Sequence, residues 1–281
     1  MKLEKYFNIH GKYYIKDGLY NVTGYIALNK KVEKLPVKFG MVTGDFFCSD
    51  NNLTTLEGCP SYVGGDFSCS YNNLTSLEGC PESIGGDFDC ANNKLTSLED
   101  GPLYVSGGFY CYNNSLTSLE GCLESIGGDF YCHTNNLTSL KGCPESIGGD
   151  FSCQGNNLKS LEGCPTQVDG SFYCCNNSLT TLEGSPKHVG GEFWCSYNNL
   201  TSLKGAPTQI CGTFLCDNNK LTSLKGCPSI VGGNFSCYNN KLTSLKGSPK
   251  SVGGYFDCDE KLHNTKEYRQ YEIIKELKKW N

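Results

Sequence analysis

VGGDFSCSYNNLTSLEGCPES, residues 63–83, is followed without a gap by IGGDFDCANNKLTSLEDGPLY, residues 84–104, and the two match position for position. The same 21-residue unit runs in both directions, keeping cysteine at Cys48, Cys69, Cys90, Cys111, Cys132, Cys153, Cys174, Cys195, Cys216, Cys237 and Cys258. Phe always stands two residues before that cysteine, Gly four before, and Val or Ile six before. In the ten complete repeats Asn stands three after it, from Asn51 to Asn240, and Leu five and eight after it, from Leu53 and Leu56 to Leu242 and Leu245. A G-x-P turn closes the unit, broken only at Asp100 and Leu123.

A period of about 20 to 30 residues is too short for two helices and a turn, and long enough for a strand with a returning coil. The sequence therefore predicts a repeat solenoid, with one long parallel β-sheet, coil and turn returns, and little helix except a C-terminal cap. Its coils touch only their neighbours, so one elongated domain is expected. Three segments are expected: residues 1–41 as an N-terminal cap with a degenerate first coil, 42–258 as tandem repeats, and 259–281 as a C-terminal helical cap. In the degenerate coil Val22, Ile26, Leu28, Val32 and Leu35 take apolar places, its length is one residue short, and Asp17-Gly18 before it is a turn signal. At the other end Asn264-Thr265-Lys266-Glu267 offers a helix start ahead of Tyr268, Tyr271, Ile274, Leu277 and Trp280, spaced by three.

The F-x-C-x-x-N-x-L core resembles the L-x-L-x-x-N-x-L segment of leucine-rich repeats, with Phe and Cys in leucine places, over roughly residues 22 to 258. The front of the unit departs from that family, because its first leucine would fall on Gly64 or Gly85. The L-T-S-L-x-x-x-P stretch is similar to short bacterial repeats of this superfamily, and Gly- and Cys-rich arrays of this kind resemble those of phage and giant viruses. The resemblance implies a parallel sheet, an asparagine ladder, and a protein-binding module.

Composition narrows the function. A formal charge of −5 offers no basic stripe for nucleic acid. No stretch has the length of a membrane span, and the N-terminus lacks the apolar core of a secretory signal. A cytoplasmic location is expected, in the host if the source is a virus. An odd count of 19 cysteines, most at apolar positions, fits free buried thiols better than a disulfide scaffold.

No catalytic constellation is visible. Cysteines recur at 21, or at 10 and 11 where Cys59, Cys80, Cys122, Cys143, Cys164 and Cys227 intervene, and no C-x-x-C suggests zinc. Cys175 and Cys211 fall outside both columns and are expected to be the more reactive thiols. His10, His133, His188 and His263 lie in different columns or outside the array, so none pairs with them as a base. No enzyme activity, metal or cofactor is expected. The N-L-T triplets at Asn52, Asn73, Asn136 and Asn199 match glycosylation sequons, which matter only if the chain is exported.

Alternation along a strand turns the residues on either side of the cysteine outward. There stand Tyr110, Tyr112, Tyr131, His133, Tyr173, Trp194 and Tyr238, the candidate binding residues, since Tyr and Trp are frequent interface anchors. Cross-strand packing alone also accounts for aromatics at such places. Three places before the cysteine runs an acidic row, Asp45, Asp66, Asp87, Asp129, Asp150 and Glu192, read as a solvated edge that steers a basic partner. The expectation is a monomeric, non-catalytic module for another protein, one basic in charge, with no nucleic acid or membrane partner. A structural component of a particle or surface, and an effector-type ligase, are the alternatives; only 23 residues follow Cys258 to hold a catalytic domain.

Overall fold

The computed structural model of the chain describes residues 2–278. They form two compact units, one running to Leu137 and taking in Lys141–Gly149, the other made of Thr138–Leu140 and the residues from Asp150 onward. Each unit is a parallel β-solenoid of the same coil. The first coils show the pattern: β3 (Phe39–Val42) and β4 (Phe46–Phe47), then β5 (Tyr62–Val63) and β6 (Phe67–Ser68). Val42 lies beside Val63 and Val63 beside Ile84, while Phe46 lies beside Phe67 and Phe67 beside Phe88. In the second unit Phe172, Phe193, Phe214, Phe235 and Phe256 follow in the same register. The offset of 21 thus places like on like, and the β-branched and Phe positions become the two short strands of every coil.

The Gly pair between those strands answers to close stacking. A Cβ on Gly85 would sit 2.3 Å from the Gly64 carbonyl oxygen, and one on Gly86 would sit 2.1 Å from Asp66 Oδ1. No side chain fits where neighbouring backbones approach so nearly. Inside, Val or Ile, Phe, Cys and both Leu are buried from coil to coil, as at Val63, Phe67, Cys69, Leu74 and Leu77. The Phe rings stack along the axis, Phe67 on Phe88 at 5.8 Å and Phe214 on Phe235 at 6.0 Å between centroids.

Leaving the strand, the chain bends at the second residue past the cysteine, which has positive φ at Asp50, Tyr71, Asn92, Asn113, Thr134, Asn176, Tyr197, Asn218 and Asn239. The next residue is the Asn of the repeat, and it bridges coils. Asn72 Nδ2 donates to the carbonyls of Cys48, Cys69 and Ser70 at 3.0, 3.0 and 3.2 Å, and its Oδ1 accepts the Leu53 N–H at 2.8 Å. One amide so satisfies backbone groups of two coils that the strand ladders leave open. The far turn closes from Cys59 N–H to the Leu56 carbonyl at 2.9 Å with Gly58 at φ 93°, and Asp100 holds the equivalent place at φ 60°.

At the N-terminus β1 (Phe7–Lys16) and β2 (Leu19–Leu28) form an antiparallel hairpin whose tip is Asp17-Gly18, with φ 51° and 78°, the conformation favoured by that dipeptide in a two-residue loop. β2 then joins the parallel sheet, Val22 against Val42 and Ile26 against Phe46, an offset of 20 that follows a register shift after Tyr20. Lys31 stands where later coils have Asn, and its ammonium reaches the Asp50 carbonyl and carboxylate. Asn29 donates to the Tyr6 carbonyl, and antiparallel bonds recur at every second residue. The N–H and C=O groups of Phe7, Ile9, Gly11, Tyr13 and Ile15 therefore point away from β2.

At the other end α1 (Lys266–Lys278) begins at Thr265, whose Oγ1 accepts the Tyr268 N–H at 3.3 Å. Tyr271 stacks on Phe256 at 4.3 Å and its hydroxyl donates to the Pro249 carbonyl. Tyr268 and Tyr271 thus cover the last coil. The side chains of Ile274 and Leu277, and Trp280, lie outside the described residues. No helix among the described residues is long and apolar enough to cross a membrane.

Replacing Asn135, which bonds Cys111, Cys132 and Leu116 from a buried position, should test the ladder. Asn135→Ala is expected to cost about 1 to 3 kcal/mol in denaturant melts, because it strands buried backbone groups.

Candidate binding face

The outward sheet face of each unit is made of three positions per coil: three before, one before and one after the cysteine. In the five coils from Cys48 to Cys132 they hold Asp45, Asp66, Asp87, Asp89 and Asp129 and no Lys or Arg. The row three places before the cysteine is more than a solvated edge. Asp45 Oδ1 accepts the Asp66 N–H at 2.9 Å, Asp66 Oδ1 the Asp87 N–H at 2.9 Å, and Asp87 Oδ1 the Gly108 N–H at 2.7 Å. Ser171, Thr213 and Asn234 make the same bond to the next coil with a hydroxyl or amide oxygen. It is a second polar ladder, and the preference for a short oxygen-bearing side chain at that position was its signal in the sequence.

Four predicted site residues meet in the first unit. Tyr110 and Tyr131 have centroids 5.4 Å apart, and Tyr112 lies flat on His133 at 4.6 Å and 11°. Tyr131 also comes within 6.2 Å of His133, and its hydroxyl donates to Asp129 Oδ2 at 3.2 Å. Tyr110 folds back over Gly108, the one coil lacking an oxygen in the acidic row; a Cβ there would meet its hydroxyl at 2.5 Å. Burial, and then the charges of Asp87 and Asp129, push the Tyr110 phenol up to about 12. Burial raises Tyr112 and lowers His133, which favours a neutral imidazole on this face.

The other predicted residues belong to the second unit. Tyr173 meets Trp194 edge to face at 4.9 Å, and the indole Nε1 is buried without a hydrogen-bond partner. Tyr238 is 50% exposed and lines a separate shallow groove with Leu215, Asp217, Tyr255 and Asp257. Sequence reasoning missed Tyr71 and Tyr197, exposed aromatics at positive φ where most coils place Asn, Asp or Gly.

The cysteines are free thiols. All eleven periodic ones are buried, and desolvation raises the thiols of Cys69, Cys90 and Cys111 in one column and of Cys80, Cys164 and Cys122 in the other, Cys122 to about 12. Cys175 departs from the expected reactivity: it is buried, burial raises its pKa, and its thiol donates to Gln154 Oε1 at 3.0 Å. Cys211 is the exposed cysteine among the described residues. There too, no group of three or more His, Cys, Asp or Glu converges as a metal site.

Compared with known proteins, the chain matches no family model and no curated protein.

Thiol titration of the native protein should modify Cys211 first and alone, with the other eighteen reacting after denaturation. Mass mapping of the labelled peptide identifies the site.

Proposed function

We propose that the chain is a non-catalytic binding module of leucine-rich-repeat type whose outward sheet face captures another protein. The observation that carries this reading is the patch of Tyr110, Tyr112, Tyr131 and His133, half-exposed and in ring-to-ring contact, on a face with five carboxylates and no Lys or Arg. Rings held by their neighbours lose little freedom on binding, and Tyr gives large contact area for two torsions. The one-signed face favours a basic partner and speeds its approach at low salt. The two-coil bonding of Asn72 and its counterparts supports the kinship with leucine-rich repeats, and the free thiols support a reducing compartment.

A second reading has its own observation. Among the described residues β1 pairs only with β2, so the outer backbone groups of Ile9, Gly11, Tyr13 and Ile15 form a free edge with Tyr13, Tyr14 and Ile15 at the surface, suited to pairing with another chain. This favours an assembling structural component, and light scattering separates the two: the binding module is expected at its monomer mass of 30.8 kDa.

The binding reading is tested by capture from native extract. Tyr131→Ala should weaken capture by about 30-fold, the size expected of an interface anchor, with a stability loss under about 1 kcal/mol, that of a cross-strand pair. Undiminished capture removes the aromatic patch from the interface.

A further inference from the structure

Beside the aromatic patch, the first unit has a groove of about 490 Å³ on the same face. Its walls include the rings of Phe47, Tyr71 and Tyr110 and the carboxylates of Asp66, Asp87 and Asp89. Asp66 and Asp87 each spend one oxygen on the next coil's N–H, and Asp89 is held by the Ala91 N–H at 3.0 Å and the Ser68 hydroxyl at 3.2 Å. These bonds fix the carboxylates without neutralising them. None of the three is ion-paired with a described residue, whereas Asp50 at the rim has Lys31 at 2.9 Å. Burial first, and then the charges of Asp87 and Asp129, raises the Tyr110 phenol that forms one wall. The carboxylates do not converge as ligands of a metal ion. A planar cation that forks to two carboxylates and lies against a ring matches both kinds of wall, and that is a guanidinium rather than an ammonium.

We propose that this groove seats an arginine side chain of the partner protein, with its guanidinium against Asp66, Asp87 and Asp89 and its plane against Tyr71 and Tyr110. The proposal rests on reading the face as a protein-binding surface, and it assigns the partner its chemistry. Tyr110 is shared by groove and patch, and Tyr131 stands two coils beyond Asp89, about 10 Å at a strand spacing of about 4.8 Å. An extended partner segment covers that distance in about three residues. The arginine would therefore stand about three residues from the apolar side chain that meets Tyr131.

The probes are hexa-arginine, hexa-lysine and hexa-citrulline peptides, titrated calorimetrically into the full chain at 50 and 200 mM salt. Hexa-arginine is expected to bind more tightly than hexa-lysine, hexa-citrulline not at all, and affinity to fall with salt. The double variant Asp66→Asn with Asp87→Asn removes two of the three charges and keeps the ladder, because Asn234 already accepts the Tyr255 N–H at 2.9 Å in its own coil. It should melt as the natural chain does and lose about fivefold or more in hexa-arginine affinity. Tyr71→Asn places the residue common at that bend, so it should fold at least as well while also binding less. Equal binding of arginine and citrulline peptides, or full affinity in either variant, overturns the proposal. If that happens while Tyr131→Ala still weakens partner capture, only the groove falls; if capture is also unaffected, the reading of the whole face falls with it.

Discussion

Within each unit every coil depends on its neighbour to satisfy backbone polar groups that it cannot satisfy itself. Short strands of two residues make few bonds of their own, so the burden passes to side chains that reach between coils. Asn72 serves Cys48, Cys69 and Leu53 at once, and Asp66 serves Asp87. The apolar column of Phe, Cys and Leu supplies the driving force of burial, while the two polar ladders decide register, because a slip of one residue would strand all of them together. The glycine pair follows from the same demand, since the carbonyl of Gly64 and the carboxylate of Asp66 occupy the space a side chain would need.

The functional face is what remains after those demands are met. Three before the cysteine an oxygen is wanted, and at the cysteine a small apolar group; one before and one after, the structure asks for nothing in particular. Tyr110, Tyr131, Tyr173 and Trp194 collect at those unconstrained places, beside coils that carry Ser68 or Ser152 instead. Variation confined to such positions is what a scaffold with a changeable surface would show. It also explains why Tyr71 is telling: it occupies a bend where a smaller side chain sits more easily.

The coil and its core were legible in the sequence because periodic burial leaves a periodic pattern: Phe46, Cys48, Leu53 and Leu56 are all buried as their phase required. The Asn column was legible because its chemistry has few other uses. The acidic row was harder, since Asp at a surface reads as solvated, and only the neighbouring coil's N–H at 2.9 Å reveals its second task. The hairpin of β1 was signalled by Asp17-Gly18 alone, for its alternation is blurred by Tyr13 and Tyr14 on opposite faces. Cys175 was singled out because it stands outside both cysteine columns, a pattern that says nothing of burial; the structure buries it, with its thiol donating to Gln154 of the preceding coil.

The register shift after Tyr20 has an evolutionary side. Each ladder bond joins residues at a fixed separation, so inserting or deleting a single residue inside the array would break partners on both flanks, whereas gaining or losing 21 leaves every remaining pair intact. Such a gene can lengthen or shorten only by whole coils, the product expected of unequal recombination between like repeats. The one odd step of 20 sits at the hairpin, where β2 has a single parallel flank and the shift can be absorbed.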